Sequence, residues 1–390
     1  FNVIGFDINQ RRIADLKKGE DSTGELSCSE LNNIKNLFLT DSESFLLEAK
    51  IFIVTVPTPI NVGQEPDLSP IKKSTESISK ILKKNDIVIY ESTVYPGLTE
   101  EISVPILENG SGLKFNKDFY CGYSPERINP GDKDHTITNT LKITSGSTPK
   151  TAKIVDELYQ SIITAGTYLA PSIKVAEAAK VIENIQRDVN IALINELAMI
   201  FDLLDINTND AIEAASTKWN FIKLKPGLVG GHCIAVDPYY LSHKSQELGY
   251  FPKLILGARQ INNGMSKLIT EKTIKYMVTR NKKIKGSRIL ILGISFKANC
   301  PDTRNSKVFD IIKELKEYQC NVEVHDYLVN QNNPEFKNIT LLKEMPLGSK
   351  KYDAIVVAVG HEKFKELQMK SFESMSNRDP IIIDVQGIVK

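Results

Sequence analysis

Residues 172–204 read SIKVAEAAKVIENIQRDVNIALINELAMIFDLL and contain neither proline nor glycine. Apolar residues recur along this stretch every three or four positions, which is the spacing of one face of an α-helix. The pattern predicts one long helix near the middle of the chain. Because a chain of 390 residues is too long for one compact core, we expect separate domains on the two sides of this helix.

The part before the long helix alternates short apolar runs with helical patterns. Runs typical of buried strands lie at 1–6, 51–56, 86–93 and 141–146. Segments with helical spacing accompany them at 70–84, 98–109 and 151–163. Such alternation is typical of a doubly wound α/β domain, a parallel sheet with helices on both faces.

The part after the long helix begins with helical patterns at 208–216 and 253–280 and then returns to α/β alternation. Its predicted strands lie at 288–294, 321–326, 353–359 and 381–385, and a helix is predicted at 305–318. We therefore predict an α/β fold of two Rossmann-like, doubly wound domains joined by a helical domain. The expected domain boundaries are 1–170, 171–283 and 284–390.

The composition argues against several kinds of partner. Lysine and arginine total 49 against 48 acidic residues, so the net charge of +1 gives no general attraction to nucleic acid or anionic membranes. No apolar run approaches the ~18 residues of a membrane span. Five scattered cysteines without a Cys-x-x-Cys pair indicate reduced thiols in the cytoplasm and no zinc site. We expect no metal cofactor.

The strongest local signal is KPGLVGGHCIAVDPYYL at 225–241. Its three glycines allow the backbone to approach a ligand closely, and Cys233 follows them directly. Asp237 would lie one turn further on if the segment is helical. The alternative for Cys233 is a buried structural cysteine, but the polar, glycine-rich setting argues against it. His232 is adjacent, and adjacent side chains diverge on a strand or a helix, so we expect no Cys–His dyad.

A second candidate group lies on the long helix. Lys180, Asn184 and Arg187 are spaced i, i+4 and i+7, so they share one face and could bind an anion or transfer a proton. The alternative is a solvated charged face, which the spacing alone favours.

Polar residues also follow the predicted strands, at the sheet edge where α/β proteins bind ligands. Asp7 follows the first strand, where an acidic residue typically binds the adenosine ribose; it could instead cap the next helix. Arg12 lies five residues on. Thr58 in VPTP and Thr93 in ESTVYPG offer hydroxyls, although each could be an ordinary turn residue.

Two further stretches carry charge. SPERINPGD at 124–132 is polar and rich in turn residues, with Glu126 and Arg127 side by side. GISFKANCPDTRNSK at 293–307 leaves a predicted strand and enters a helix. Two of its cations, Lys297 and Arg304, would suit phosphate groups.

Six motifs, in this order, resemble the UDP-glucose/GDP-mannose dehydrogenase family from end to end: YESTVYPG, GYSPERINPGD, AEAAKVIENIQRD, STKWNF, KPGLVGGHCIAVDPYYL and FKANCPDTRNSK. The similarity is greatest to members that oxidise C6 of UDP-N-acetylglucosamine or UDP-N-acetylgalactosamine for polysaccharide synthesis. The resemblance implies NAD as cofactor and a homodimer formed through the long central helix.

The resemblance also implies a role for each matching residue. Cys233 matches the family's nucleophile, Asp237 and Lys180 its proton- and water-handling residues, and Asn184 its oxyanion partner. Glu126 and Thr93 match the residues used in thioester hydrolysis. Positions matching cofactor contacts are Asp7, Arg12, Thr58, Thr93 and Arg304. Positions matching substrate contacts are Arg127, Ile128, Lys180, Asn184, Arg187, Gly230, Phe296 and Lys297.

Gln386 departs from the family pattern, because relatives commonly place a lysine or arginine for the substrate at this position. Two other functions remain open at this point. A two-electron hydroxyacid-type dehydrogenase would have no use for Cys233 and would yield one NADH per substrate. A nucleotide-sugar-binding protein without catalysis would yield none.

The chain begins inside what resembles the second strand of a dinucleotide-binding unit, ahead of which a strand and a Gly-x-Gly-x-x-Gly turn are usual. We therefore expect roughly 25–30 further N-terminal residues in the native protein, since a βαβ unit takes about 30. Without them the chain should bind NAD poorly. The intact mass of the native protein tests this expectation.

Overall fold

The computed structural model describes residues 1–21, 26–61, 63–128, 135–331 and 333–389. They form two compact units, Phe1–Ile182 and Glu183–Lys390. The three-domain division expected from the sequence stays a prediction. Within the described ranges, no helix is both long and apolar enough to cross a membrane.

The first unit consists of short strands alternating with helices. Its strands are β1 (Val3–Phe6), β2 (Leu37–Thr40), β3 (Ile51–Val54), β4 (Ile87–Tyr90), β5 (Tyr120–Tyr123), β6 (Lys142–Thr144) and β7 (Thr167–Leu169). Its helices are α1 (Gln10–Lys17), α2 (Cys28–Asn33), α3 (Ser69–Ser79), α4 (Val104–Ser111) and α5 (Pro149–Gln160), with a 3-10 turn at Glu43–Glu48 and a π turn at Thr99–Ser103. Helix α6 (Ile173–Leu203) begins in this unit and confirms the long helix expected at 172–204.

The strands of the first unit pair in parallel, as the alternating pattern predicted. They form the sheets β1–β2, β3–β4–β5 and β6–β7. Strands β2, β5 and β7 were not predicted. Each has only three or four residues, and β5 reads YCGY, so pairing with a neighbouring strand specifies them more than any apolar run of their own.

The second unit begins with helices and ends with a five-stranded sheet. After α6 come α7 (Thr208–Ser216), α8 (Asp237–Glu247), α9 (Lys253–Thr279), α10 (Val308–Glu317), α11 (Glu362–Lys365) and α12 (Met369–Met375), with a 3-10 turn at Pro334–Phe336. The strands are β8 (Arg288–Leu292), β9 (Asn321–His325), β10 (Thr340–Leu342), β11 (Tyr352–Val357) and β12 (Ser376–Asp384).

This sheet is parallel and buried on both faces. Its strand order is β10–β9–β8–β11–β12. Ile289 and Ile291 of β8 enter a core with α9 and α10, whereas Leu290 and Leu292 enter a second core with α11 and α12. Because successive side chains of β8 enter cores on opposite faces of the sheet, both sets must be apolar, and the strand reads as the continuous run RILIL. The predicted α/β class with parallel sheets is confirmed.

The strand order changes direction between β8 and β11. Chain order runs outward from β8 through β9 to β10 on one side and from β11 to β12 on the other. In such sheets, ligands bind at the carboxyl ends of the strands beside this reversal. The loops that follow β8 and β11, at 293–307 and 358–361, therefore lie at the expected ligand-binding edge of the second unit.

In the first unit, Glu177 of α6 anchors the loop that follows β4. The side chain is fully buried and accepts N–H bonds from Gly97 (2.5 Å) and Thr99 (3.0 Å), and the Thr99 hydroxyl donates to it at 2.6 Å. Burial raises the pKa of Glu177 to about 7, although the bonds from Thr99 and Gly97 favour the ionised form.

Glu177→Gln should flatten the pH dependence of stability. A carboxyl whose folded pKa is raised from 4.5 to about 7 contributes stability that is complete below about pH 4.5 and is lost as the pH rises through about 7. The variant cannot lose a proton, so its urea midpoint should vary less across this range. Glu157→Gln, at an exposed position on α5, is the control and should retain the wild-type slope. An unchanged slope in Glu177→Gln would contradict the assignment.

Candidate active site

Cys233 lies in the turn that leads into α8. Its carbonyl accepts the N–H groups of Val236 (3.0 Å) and Asp237 (2.8 Å), and Asp237 is the first residue of the helix. Cys233 is exposed, whereas Asp237 is 2% exposed. The structure therefore places the exposed thiol residue one turn before a buried carboxylate, as the spacing predicted, and rejects the buried-cysteine alternative.

The glycines before Cys233 are required by close packing against the loop after β8. Gly231 has φ +82°, and a Cβ on it would lie 2.8 Å from the ring of Phe296. A Cβ on Gly230 would lie 2.5 Å from the carbonyl oxygen of Asn305. The structure thus brings together Gly230 and Phe296, two of the residues expected to contact the substrate.

Asp302 connects the same two loops through ionic hydrogen bonds. Its carboxylate accepts from Nε and Nη2 of Arg304 at 3.0 and 2.7 Å and lies 3.1 Å from Nε2 of His232. Burial raises the pKa of Asp302, but the bonds from Arg304 and His232 outweigh it and hold the pKa well below its ordinary value. His232 is thus paired with Asp302 through Nε2. The expectation of no Cys–His dyad stays a prediction. Sequence reasoning missed Asp302, although it stands two residues from Arg304.

Lys297 and Gln386 lie near the same ligand-binding edge. The Lys297 ammonium is 5.6 Å from the centre of the Phe296 ring, within cation–π range. Gln386 follows β12, and its side chain lies against Gly227 and Gly360, so that an added Cβ would be 3.4 Å and 2.4 Å from it. The residue that departs from the family pattern is therefore packed against the glycine loop.

Helix α6 buries two of the three polar residues predicted on its face. Asn184 is 9% exposed, and its amide donates to Oδ2 of Asp237 at 2.5 Å. Lys180 is 7% exposed, and its ammonium donates to the carbonyl of Glu126 at 2.6 Å. The solvated-face alternative is therefore wrong for these two residues. It holds for Arg187, which is exposed.

Sequence reasoning missed the buried partners of Asp188, all of which lie in the second unit together with it. This carboxylate is fully buried and accepts from Nη1 of Arg259 (2.5 Å) and the amide of Asn262 (2.7 Å). Burial raises the pKa of Asp188, and the Arg259 charge opposes that shift. Asn262 also accepts from the amide of Asn195, which in turn binds the backbone of Gly227 in the glycine loop.

In the first unit, Asp7 stands at the end of β1 with one carboxylate oxygen accepting the N–H of Asn9 at 2.8 Å. Asn9, and not Asp7, caps α1, so the capping alternative for Asp7 is wrong. The other oxygen of Asp7 makes no hydrogen bond to the described residues and suits a ribose hydroxyl. Arg12 forms a 2.9 Å ion pair with Asp21.

The loops after β3 and β4 carry the two predicted threonines. Thr58 and Thr93 are half-buried, and neither hydroxyl has a hydrogen-bond partner within the described ranges. The Ser92 hydroxyl donates to the carbonyl of Val56 at 2.6 Å and joins the two loops. These hydroxyls and the carboxylate oxygen have no hydrogen-bond partner in the part of the chain that the structure describes. At the carboxyl ends of parallel strands, they are available to the sugar and phosphates of a dinucleotide.

The Glu126 carboxylate is held from two sides. One oxygen accepts the N–H groups of Arg127 (2.7 Å) and Ile128 (2.6 Å), and the other lies 3.6 Å from the ammonium of Lys142. Arg127 donates through Nη1 to the carbonyl of Leu141 at 2.8 Å. The rest of the motif, 129–132, lies outside the described residues.

Lys142 was also missed, although a lysine inside the apolar run LKITSG was a signal. It is 4% exposed and lies 3.1 Å from Glu91 as well as near Glu126. Its ammonium is 5.1 Å from the centre of the Tyr159 ring, and the Tyr159 hydroxyl donates to Glu91. Because a buried lysine requires such partners, this cluster fixes the surroundings of Glu126.

Models of one known family match three successive parts of the chain. Residues 1–163 match the NAD binding domain of the UDP-glucose/GDP-mannose dehydrogenase family, 174–264 its central domain and 290–390 its UDP binding domain. The chain belongs to the UDP-glucose/GDP-mannose dehydrogenase family. The NAD binding domain confirms the cofactor expected from the sequence.

Relatives in this family match over nearly the whole chain. A UDP-N-acetyl-D-glucosamine 6-dehydrogenase from Pseudomonas aeruginosa is 52% identical over 99% of this chain and 92% of its own length. Its counterpart from Salmonella typhi is 50% identical over 99% and 91%. Among solved structures, a UDP-D-ManNAc dehydrogenase from Pyrococcus horikoshii has a TM-score of 0.89 at 31% identity, covering 100% of this chain and 91% of its own.

Gly230→Ala should disrupt the packing of the glycine loop. The added methyl group would overlap the carbonyl of Asn305, so we expect a loss of about 1–3 kcal/mol in the free energy of unfolding. Gly257→Ala in α9 is the matched control, because its Cβ would enter open space. Alanine is also the better helix former, by up to about 1 kcal/mol. Urea denaturation of both variants and the wild type tests this. If Gly230→Ala is as stable as the wild type, the loop can shift to accept a side chain and the close packing is not required.

Proposed function

We propose that this protein is an NAD-dependent dehydrogenase that oxidises the C6 alcohol of a UDP-N-acetylhexosamine to a carboxylate, with Cys233 as the nucleophile. One observation carries the proposal. An exposed thiol residue stands one turn before a buried Asp237, whose carboxylate accepts the Asn184 amide. A covalent nucleophile needs such a neighbourhood, and a two-electron dehydrogenase does not.

NAD, when bound, accepts a hydride in each of two successive oxidations. The proposed contacts in the first unit are Asp7, Thr58 and Thr93, whose oxygens are available, and Arg12, which would have to share its pairing with Asp21. Arg304 is a further proposed cofactor contact. Asp302 restricts its orientation through two parallel hydrogen bonds, a geometry that also suits an anionic ligand.

The chain's own residues would carry the remaining steps. Lys180 and Asp237 would take the alcohol proton through water as the first hydride leaves C6. The Cys233 sulfur would then bond to the aldehyde carbon and form a thiohemiacetal, whose oxyanion Lys180 and Asn184 would stabilise. The second oxidation gives a thioester. Covalent capture would keep the aldehyde from escaping between the two oxidations.

Water would then break the thioester and return the Cys233 thiol. Glu126 and Thr93 are proposed to orient this water. Support comes from the fixed geometry of Glu126, whose one oxygen accepts two backbone N–H groups while the other faces Lys142. A carboxylate held in this way is prepared to accept a proton without first reorganising.

The proposed substrate site uses Gly230, Phe296 and Lys297 of the second unit, with Arg127, Ile128 and Arg187 as further contacts. The UDP binding domain over 290–390 supports a UDP-sugar. UDP-N-acetylglucosamine is favoured, because relatives named for it are 50–52% identical, against 31% for the Pyrococcus horikoshii UDP-N-acetyl-D-mannosamine dehydrogenase. NADH release from a panel of UDP-sugars would identify the epimer.

We assign the proposed domains as 1–170 for NAD, 171–283 for the helical connector with the cysteine loop, and 284–390 for the UDP-sugar. The product would serve surface polysaccharide synthesis. Its proposed place is the cytoplasm, which suits five cysteines that are all outside disulfides.

A homodimer through α6 is part of the proposal. Ile182, Leu193 and Ile200 are 44–58% exposed, and their intervals of eleven and seven place them on one face of the helix; Leu204, which is 60% exposed, follows directly after it. Apolar side chains repeated on one helix face are typical of a buried interface.

Ile200→Glu should shift the protein toward monomers, because it would bury a charge in the proposed interface. Ile154→Glu on α5 is the matched control, because Ile154 is 36% exposed and Ile200 is 44% exposed. The control variant should keep the molecular mass of the wild type in solution. Light scattering over a dilution series measures the shift. A monomeric wild type, or the same mass for both variants at every concentration, would reject the interface.

Cys233→Ala should abolish formation of the uronic acid while leaving UDP-sugar binding intact. A methyl group can neither add to an aldehyde nor leave as a thiolate, and the phosphates are proposed to contact other residues. Cys233→Ser is a finer test, since its ester hydrolyses more slowly and should be trapped as added protein mass. Cys28→Ala, the other exposed cysteine, is the control and should turn over normally.

The NADH count per sugar separates this proposal from its alternatives. The complete reaction yields two NADH per sugar. Two NADH at close to the wild-type rate from Cys233→Ala would overturn the role of the nucleophile. One NADH per sugar from the wild type would indicate a two-electron enzyme, and none would indicate a binding protein.

A further inference from the structure

Three loops meet at the edge of the second sheet where the strand order reverses. The central loop leaves β8 and carries Phe296 and Lys297. Asp326 follows the neighbouring strand β9, and His361 follows β11 on the other side. Both flanking residues are buried, at 1% and 0% exposure.

Asp326 holds the beginning of the central loop. Its Oδ2 accepts the N–H groups of Ile294 at 2.8 Å and Ser295 at 3.3 Å, while Oδ1 accepts the N–H of Leu328 at 2.9 Å. Burial raises the pKa of Asp326, whereas the hydrogen bond from His361 and the bonds from the backbone N–H groups of Ile294 and Leu328 lower it. The carboxylate is thus ionised when it holds the loop.

His361 holds the end of the central loop. Its Nδ1 accepts the N–H of Asn299 at 2.9 Å, so this nitrogen carries no proton. The proton must then be on Nε2, which lies 3.1 Å from Oδ2 of Asp326 and 3.3 Å from the Ser295 hydroxyl. One neutral tautomer satisfies all these partners.

Asn299 has little freedom to move. Its φ is +59°, in the left-handed region, and its side-chain oxygen accepts the N–H of Glu362 at 3.1 Å. The three residues Phe296, Lys297 and Ala298 are therefore tethered on both sides, by Asp326 at Ser295 and by His361 at Asn299.

Packing alone does not explain these contacts. The rings of Tyr327 and Phe364 surround His361 edge-on at 5.2 and 5.3 Å, and an apolar residue of similar size would fill that space. Instead, both imidazole nitrogens bind groups that fix the central loop. An ionised, buried Asp326 costs desolvation free energy, which its bonds to His361 and to the backbone of the loop offset.

We propose that His361 and Asp326 are positioning residues that fix Phe296 and Lys297 for the pyrophosphate of the nucleotide. They act through the backbone of the loop and do not touch the ligand. This inference rests on the proposed role of Lys297 in UDP-sugar binding. It gives a function to a histidine that the sequence analysis did not single out.

The first test is UDP binding by titration calorimetry. His361→Leu keeps the bulk of the side chain but removes both hydrogen bonds, so UDP affinity should fall on the order of tenfold. The KM for the UDP-sugar should rise more than kcat falls, and the KM for NAD should not change. His361→Gln, which keeps an acceptor and a donor, should recover part of the affinity.

His325→Leu is the matched control. His325 is also buried, at 5%, and its Nδ1 lies 3.1 Å from the carbonyl of Leu342, away from the central loop. It should lower stability without weakening UDP binding. If His361→Leu is destabilised like the control but binds UDP as the wild type does, His361 is only structural and the proposal is wrong.

A double-mutant cycle with Lys297→Ala separates the inference from the proposed function. Because His361 acts through Lys297, the two losses of affinity should be less than additive. Full additivity would overturn the inference. If Lys297→Ala binds UDP normally, the proposed substrate site itself is wrong.

The tautomer of His361 provides a test without any substitution. Nitrogen NMR of the wild type should show a proton on Nε2 and none on Nδ1. A proton on Nδ1 would contradict the hydrogen bond from Asn299 and overturn the proposal.

Discussion

The buried polar stripe on α6 is the constraint on which both units depend. Its members are Glu177, Lys180, Asn184, Asp188 and Asn195, none more than 9% exposed. Each binds a different segment: the loop after β4, the Glu126 turn, the head of α8, helix α9 and the glycine loop. A buried polar group without a partner is costly, so each segment must occupy its place for the helix to be buried at all.

The loops of the proposed substrate site are connected by the same principle. Asp302 binds His232 beside Cys233 and Arg304 beyond Phe296, so one carboxylate relates the glycine loop to the loop after β8. Gly230 and Gly231 permit backbone contact where a side chain would separate the two. The hydrogen bonds of Asp302 set the distance between the glycine loop and the loop after β8, and the glycines allow the two backbones to come that close.

Sequence patterns predicted the helices and strands that have a continuous or regularly repeated set of apolar residues. RILIL and the 172–204 stretch were recognisable because periodicity is a local property, and the motif around Cys233 was recognisable by composition. Patterns could not predict β5, whose YCGY pairs with neighbours distant in sequence. They also misjudged Lys180 and Asn184, because spacing identifies a polar face but does not say whether protein or water covers it. Asp302, Lys142 and His361 were missed for the same reason, since their partners lie far away along the chain.

The spacing within α6 has a consequence for how such a chain can change. The stripe members from Glu177 to Asp188 are spaced by three, four and four residues, which is about three turns of helix. Insertion of one residue between two members in the same unit, such as Glu177 and Lys180 or Asn184 and Asp188, would rotate one of them by about 100° away from its partner. Surface loops can lengthen at little cost. The length of α6 is therefore constrained within each unit, and length variation in this architecture should accumulate in the surface loops and spare these parts of the helix.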